Sequence, residues 1–193
     1  MPPDSTTAVV IVDMLVDYFD PSLWPKSELP SARERLAASI NRLTRDARST
    51  GAPVIWIRQE FKEDLSDAFP HMRREGRKYT IRGTPGCELI PELEITPDDH
   101  EVFKKRFSAF FETDLDRMLR EFGIKTVVLA GITTAWCIRS TATDAYQLGY
   151  DVRVVADCVA GFTSESHLVS LEEMDGYVVS VVPVEGWNEG MRE

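Results

Sequence analysis

Three short apolar runs constrain the fold of this chain more than any other feature: Ala8-Val9-Val10-Ile11-Val12, Pro53-Val54-Ile55-Trp56-Ile57 and Thr126-Val127-Val128-Leu129-Ala130. Each is continuous rather than alternating and rich in β-branched residues, the pattern of a strand buried on both faces of a parallel sheet. Shorter runs of the same character occur at Glu101-Val102-Phe103, Asp151-Val152-Arg153-Val154-Val155 and Tyr177-Val178-Val179-Ser180-Val181-Val182. Between them lie amphipathic helical patterns. Residues 32–49 carry Leu36, Ile40 and Leu43, and residues 114–122 carry Leu115, Met118, Leu119 and Phe122, all at three-and-four spacing. Gly51, Gly123 and Gly149 stand where each helix must stop before the next strand. This alternation predicts right-handed βαβ units in a three-layer α/β/α doubly wound fold, around a mainly parallel six-stranded sheet of order 3-2-1-4-5-6. At 193 residues the chain has room for one sizeable core, so residues 1–193 are read as a single domain.

The formal net charge is −10, with the acidic residues scattered rather than in blocks. That balance argues against nucleic acid or an anionic membrane as a partner and leaves a small-molecule substrate. The three cysteines, Cys87, Cys137 and Cys158, have no paired spacing, which fits a reducing cytoplasm better than a disulfide scaffold. Met1-Pro2-Pro3-Asp4-Ser5 has neither the basic nor the apolar region of a signal peptide, and no apolar run approaches a membrane span. The expected location is cytoplasmic.

The irregular region is residues 58–99, rich in charge, Pro and Gly and longer than a structureless connection in a compact domain. It is expected to hold a short helix around Leu65 to Glu75 and a turn at Gly83-Thr84-Pro85-Gly86. Long excursions from the carboxyl end of a strand are where α/β folds build pockets.

Three reactive residues fall at or just past strand ends, where the ligand crevice of such a fold lies: Asp13, Lys104 and Cys137. Cys137 follows a strand and a tight turn at the start of a helix, where the macrodipole and free N–H groups favour a thiolate and can hold an oxyanion. A small buried hydrophobe is the alternative reading of any cysteine. Asp13, at the end of a wholly apolar strand, is partly desolvated and so a usable proton acceptor, or else a plain strand-ending turn residue. Lys104, in Lys104-Lys105-Arg106, is either a solvated cation or a fixed charge beside the other two. In a 3-2-1 order two strand spacings, about 9.6 Å, separate the third strand from the first, and a lysine stem covers most of that. Cys87 and Cys158 lack such a setting and are read as structural.

With these residues in view, a resemblance emerges. Val10-Ile11-Val12-Asp13-Met14 with Asp17-Tyr18-Phe19, then Phe103 to Phe110 with Thr113-Asp114-Leu115, then Gly131-Ile132-Thr133-Thr134-Ala135-Trp136-Cys137 with Thr141-Ala142 and Asp144-Ala145, together resemble the isochorismatase-like cysteine hydrolases. The likeness spans nearly the whole chain and includes the Gly83-Thr84-Pro85-Gly86 turn. It implies an Asp-Lys-Cys triad carried by Asp13, Lys104 and Cys137, acting on C–N bonds of small amides, ureas or carbamoyl compounds through a thioester-type intermediate. It also implies a cis peptide at Ile132–Thr133 that aims backbone amides at an oxyanion, and a homo-oligomer, dimer or tetramer, with subunit contacts near the pocket. Nicotinamidases share the triad but carry an Asp-x-His metal site just after the second strand, where this chain has Arg58-Gln59-Glu60-Phe61. With only His71, His100 and His167 available, no catalytic metal and no cofactor are expected, and nicotinamide is a poor substrate candidate. Branches that cleave the isochorismate vinyl ether lack the cysteine, so Cys137 favours amide chemistry.

Four side chains are candidates for substrate contact: Gln59 as a hydrogen-bonding group, and Phe19, Trp24 and Trp136 as apolar walls, with core packing as the alternative for each. His167 is read as a helix-face histidine without a catalytic part. The expected function is metal-independent cysteine hydrolysis of a small amide, ureido or carbamoyl compound, or lactam. The alternatives are an ester or vinyl-ether hydrolase on the same residues, and a non-catalytic redox sensor using a low-pKa Cys137 thiol.

Overall fold

The computed structural model describes residues 6–189; Met1 to Ser5, read above for leader features, lie outside the described residues. Six strands form one parallel sheet: β1 (Thr7–Val12), β2 (Val54–Gln59), β3 (His100–Lys104), β4 (Thr126–Ile132), β5 (Asp151–Ala160) and β6 (Ser180–Val182). Their order is β3-β2-β1-β4-β5-β6, as the sequence predicts. The chain reverses its direction of sheet growth between β1 and β4, and crevices for ligands open at the carboxyl ends of such neighbouring strands.

Five α-helices cover the sheet: α1 (Leu29–Ser49), α2 (Pro70–Glu75), α3 (Leu115–Glu121), α4 (Arg139–Gln147) and α5 (Ser164–Met174). All six residues of β1 are buried, and they divide by the two-residue period of a strand. Val9 and Ile11 pack with Leu36, Ile40 and Leu43 of α1, whereas Ala8, Val10 and Val12 pack with Leu115 and Leu119 of α3 and Ala142 of α4. Each such aliphatic side chain contributes about 1.5–3 kcal/mol on burial, so the unbroken apolar runs are what hold three layers together. Among the described residues no helix is long and apolar enough to cross a membrane.

Some boundaries differ from expectation. The excursion helix starts at Pro70, not Leu65, because proline is suited to the first helical turn while Leu65 sits at φ 59° in a preceding turn. β5 runs on to Ala160 after a register shift opposite Leu129 and Gly131, and β6 is only Ser180–Val182 because residues 175–179 form a turn closed by an isolated Asp175–Val179 bridge. The excursion is tied down by isolated bridges, Leu15 to Leu89 and Phe61 to Ile81.

Candidate active site

The site forms where β1, β3 and β4 end. β1 stops as Asp13 turns into the left-handed region at φ 54°, an uncommon conformation for a residue with a side chain and one that clusters at functional sites. Its amide donates to the Ile57 carbonyl at 2.9 Å and its own carbonyl accepts from Leu15, so the backbone fixes where the carboxylate emerges. Lys104 is the last residue of β3, in register with Gln59 of β2. Its stem crosses to place Nζ 2.6 Å from Asp13 Oδ2, 2.9 Å from the Arg106 carbonyl and 3.5 Å from Cys137 Sγ. The ammonium thus forms an ion pair with the acid and donates hydrogen bonds to the Arg106 carbonyl and the Cys137 sulfur.

Cys137 is carried by the turn that follows β4. The Ile132–Thr133 peptide is cis, as expected, and Thr134–Ile138 then make one π-helical turn leading into α4. The Thr133 carbonyl closes that turn by accepting from the amides of Trp136 and Ile138, both at 3.1 Å. Gly131 makes the approach of β4 to β1 possible: at φ 104°, any Cβ there would overlap the Val12 backbone.

Asp13, Lys104 and Cys137 are all almost fully buried. Burial drives the Asp13 carboxyl above the usual carboxylate range, against the pull of Lys104. Burial also works against the Lys104 ammonium, but Asp13 and Cys137 outweigh it and its pKa rises. The Cys137 thiol is pushed up to about 12, mainly by burial and further by Asp13, with Lys104 acting the other way. Burial thus favours a neutral thiol at Cys137, beside an ammonium that Asp13 and the sulfur hold in its charged form. Burial therefore works against the thiolate that the start of a helix favours.

Above Cys137 lies a cavity of about 270 Å³. Trp24, Gln59 and Trp136 line it, as expected, together with Thr133. Phe19 does not; it is 4% exposed in the core with the Arg33 guanidinium 5.8 Å from its ring. Tyr18, one residue earlier, takes that place, because successive residues of the single 3₁₀ turn Val16–Phe19 point about 120° apart. Ile132 is also wholly buried in the core, so of the two residues joined by the cis bond only Thr133 reaches the cavity.

Further residues that the sequence reading did not single out complete the wall: Phe69, His71, Tyr79, Phe107 and Phe162. Tyr18 donates to Gln59 Oε1, whose Nε2 donates to the Arg106 carbonyl at 3.3 Å, so the Gln59 amide is oriented from both ends. His71 Nε2 lies 3.2 Å from the Tyr79 hydroxyl. His167 is not merely a helix-face residue: its Nδ1 lies 2.8 Å from Thr134 Oγ1, immediately after the cis bond. For Phe69, His71 and Tyr79 the signal in the sequence was the excursion itself, an aromatic-bearing segment leaving the carboxyl end of β2, whereas Phe107 follows β3 and Phe162 follows β5.

The residues after β2 do not fit a metal. Phe61 is buried and packs edge-on against Phe69 and Tyr79, and among the described residues no group of three or more His, Cys, Asp or Glu side chains gathers to hold an ion. Cys87 hydrogen-bonds the Thr84 carbonyl and Cys158 is buried in the core; both remain outside the site.

A parallel α/β sheet with a buried acid, ammonium and thiol under a cavity at its switch point defines a class of strand-end enzymes. The isochorismatase domain matches residues 7–185, and the chain belongs to that family of hydrolases. Among its relatives, a probable inactive nicotinamidase of Arabidopsis thaliana is 32% identical over 95% of each chain. The ureidoacrylate amidohydrolase of Pseudomonas syringae is 32% identical, covering 91% of this chain and 80% of its own length. The crystal structure of N-carbamoylsarcosine amidase from Thermoplasma acidophilum superposes with a TM-score of 0.74 at 27% identity, covering 93% of this chain and 96% of that one.

Proposed function

We propose that this protein is a metal-independent cysteine hydrolase that cleaves a C–N bond of a small amide, ureido or carbamoyl compound, or lactam. The observation that carries the reading is the Lys104 ammonium placed between Asp13 and Cys137 at the floor of the cavity. Relatives named as amidohydrolase and amidase support it.

With substrate seated, Asp13 takes the Cys137 proton and Sγ attacks the carbonyl carbon, forming a C–S bond. Lys104 neutralises the charge that moves between acid and thiol. The resulting oxyanion is held by backbone amides of the 133–137 turn. Asp13 then gives the proton to the departing nitrogen as the C–N bond breaks. Water, deprotonated by the same carboxylate, cleaves the thioester, releases the acid and restores the thiol. The redox-sensor alternative needs a low-pKa thiol, and burial shifts Cys137 the other way.

The test is hydrolysis of a panel of small amides, ureas, N-carbamoyl compounds, lactams and esters, read as ammonia or amine formed from the nitrogen compounds and as acid released from the esters, with Cys137→Ala and a chelator as controls. Turnover that the chelator leaves intact and the variant abolishes supports the reading. Turnover that survives Cys137→Ala, or confinement of activity to esters, overturns it.

A further inference from the structure

The turn that carries Cys137 is held from outside the catalytic cluster. Thr134 opens the π-helical turn Thr134–Ile138, and its Oγ1 meets Nδ1 of His167, in the first turn of α5, at 2.8 Å. Thr134 is wholly buried, and among the described residues its hydroxyl has no other hydrogen-bond partner. A neutral imidazole offers one accepting and one donating nitrogen. The hydroxyl therefore donates to Nδ1, because the reverse arrangement would leave its hydrogen buried and unmet. Burial and then Arg35 lower the His167 pKa, which keeps that nitrogen free to accept at neutral pH.

His167 is fixed in turn by its own surroundings. Thr163 caps α5, its Oγ1 accepting the Ser166 amide at 3.2 Å, and the Ser164 amide donates to Glu28 Oε2 at 3.0 Å. Gly161 brings the end of β5 so close that a Cβ there would lie 3.1 Å from the His167 Cβ. The imidazole is thus a rigid post beside the start of the Cys137 turn.

A π-helical turn is rare and is found mostly at functional sites, and the amides that open a helix have no carbonyl of that helix to bond. Such amides are free to receive an oxyanion, but the same freedom leaves the start of the turn with few bonds of its own to keep it in place. Neither Thr134 nor His167 lines the cavity above Cys137, whereas Thr133 and Cys137 do. His167 lines a second cavity, of about 250 Å³, that shares no residue with the first. The pair reaches the reaction only through the backbone between Thr133 and Cys137.

We infer that His167 is a positioning residue: by accepting the Thr134 hydroxyl it holds the backbone amides of the 133–137 turn at the place where the oxyanion forms. This rests on the hydrolase reading above and adds a residue to its machinery.

The experiment sets Thr134→Val and His167→Leu, which delete the hydroxyl and the acceptor, against Thr134→Ser and His167→Asn, which keep them. Benzaldehyde probes the oxyanion position: the Cys137 sulfur bonds to its carbonyl carbon, the thiol proton passes to the carbonyl oxygen, and nothing is released. Benzyl alcohol enters the same cavity without that bond. Fluorescence of Trp24 and Trp136 in the wall reads both. The expected result is a preference for aldehyde over alcohol that falls at least about tenfold in each deleting variant and is largely retained in the two conservative ones. Combining the two deletions should cost no more than either alone, as for two residues sharing one bond. On the best amide of the panel, kcat falls by a similar factor while KM holds. A preference that survives the deletions, aldehyde and alcohol weakened alike, or a parent that does not prefer the aldehyde overturns the inference. If no amide is turned over while the aldehyde results come out as expected, the hydrolase reading fails and the hold of His167 on the turn stands.

Discussion

The Lys104 ammonium meets the Asp13 carboxylate at 2.6 Å, with neither side chain more than 1% exposed. Two charges so placed are stabilised only by each other and by the few dipoles around them. The same lysine is 3.5 Å from the Cys137 sulfur, so one cation touches both the acid and the thiol.

Replacing Lys104 by Met leaves the Asp13 carboxyl in the interior without its ionic partner. Breaking a buried pair in this way costs about 3–5 kcal/mol. The urea midpoint at pH 7 is expected to fall accordingly, and an unchanged midpoint contradicts the pairing. The Lys104 contribution also has a pH window. Its folded pKa is raised, so the stabilisation is complete below the free-lysine value of about 10.4 and is lost as pH rises through the folded value.

Asp13→Asn separates the base from the charge that controls the thiol. Asp13 raises the Cys137 pKa and Lys104 lowers it, so removing the carboxylate leaves the lowering partner in place. Iodoacetamide should therefore alkylate Cys137 faster at pH 8 in the variant, while turnover falls by about 10²–10⁴-fold for want of a general base. Slower alkylation contradicts this assignment of signs.

Tyr18→Phe removes the hydroxyl that holds Gln59 Oε1, and Phe19→Leu alters only core packing. The first change is expected to raise KM by about 3–10-fold, the worth of a single hydrogen bond. The second should lower the melting temperature and leave KM unchanged. Steady-state kinetics of the two neighbours distinguishes cavity from core.

Gly131→Ala forces a Cβ into the Val12 backbone from a positive-φ position. Backbone cannot step aside as a side chain can, so poor folding or a much lower melting temperature is expected. Gly86→Ala meets the Asp17 carboxylate instead. That carboxylate accepts the Thr80 amide at 2.6 Å, so the milder change should loosen the segment that carries Tyr79, and limited proteolysis should detect it.

His167→Gln tests the contact to Thr134. The His167 pKa is lowered by burial and then by Arg35, so its stabilising contribution is present above about pH 6.5 and is lost as pH falls towards the folded value. Melting temperatures measured from pH 7.5 to 5 should show a decline in the parent that is shallower in the variant. Parallel curves contradict the assignment.

The sheet was legible because parallel strands buried on both faces must be apolar throughout, and β1, β2 and β4 have that pattern. Asp13, Lys104 and Cys137 were legible because strand ends converge on one edge. The charge state of Cys137 was not, since desolvation depends on what covers the sulfur rather than on its place in the chain. Tyr18 and Phe19 show a similar limit: one residue of rotation in a single turn decides which ring faces the cavity. The walls from Phe69, Tyr79 and Phe162 come from segments distant in sequence, whose meeting no local pattern encodes.

Asp13 follows β1, Lys104 ends β3 and Cys137 follows β4, so the buried acid and ammonium meet only when strands far apart in the chain have taken their places in one sheet. A chain that has not yet assembled that sheet carries no such cluster, and its three side chains stay solvated and apart until the last of those strands docks.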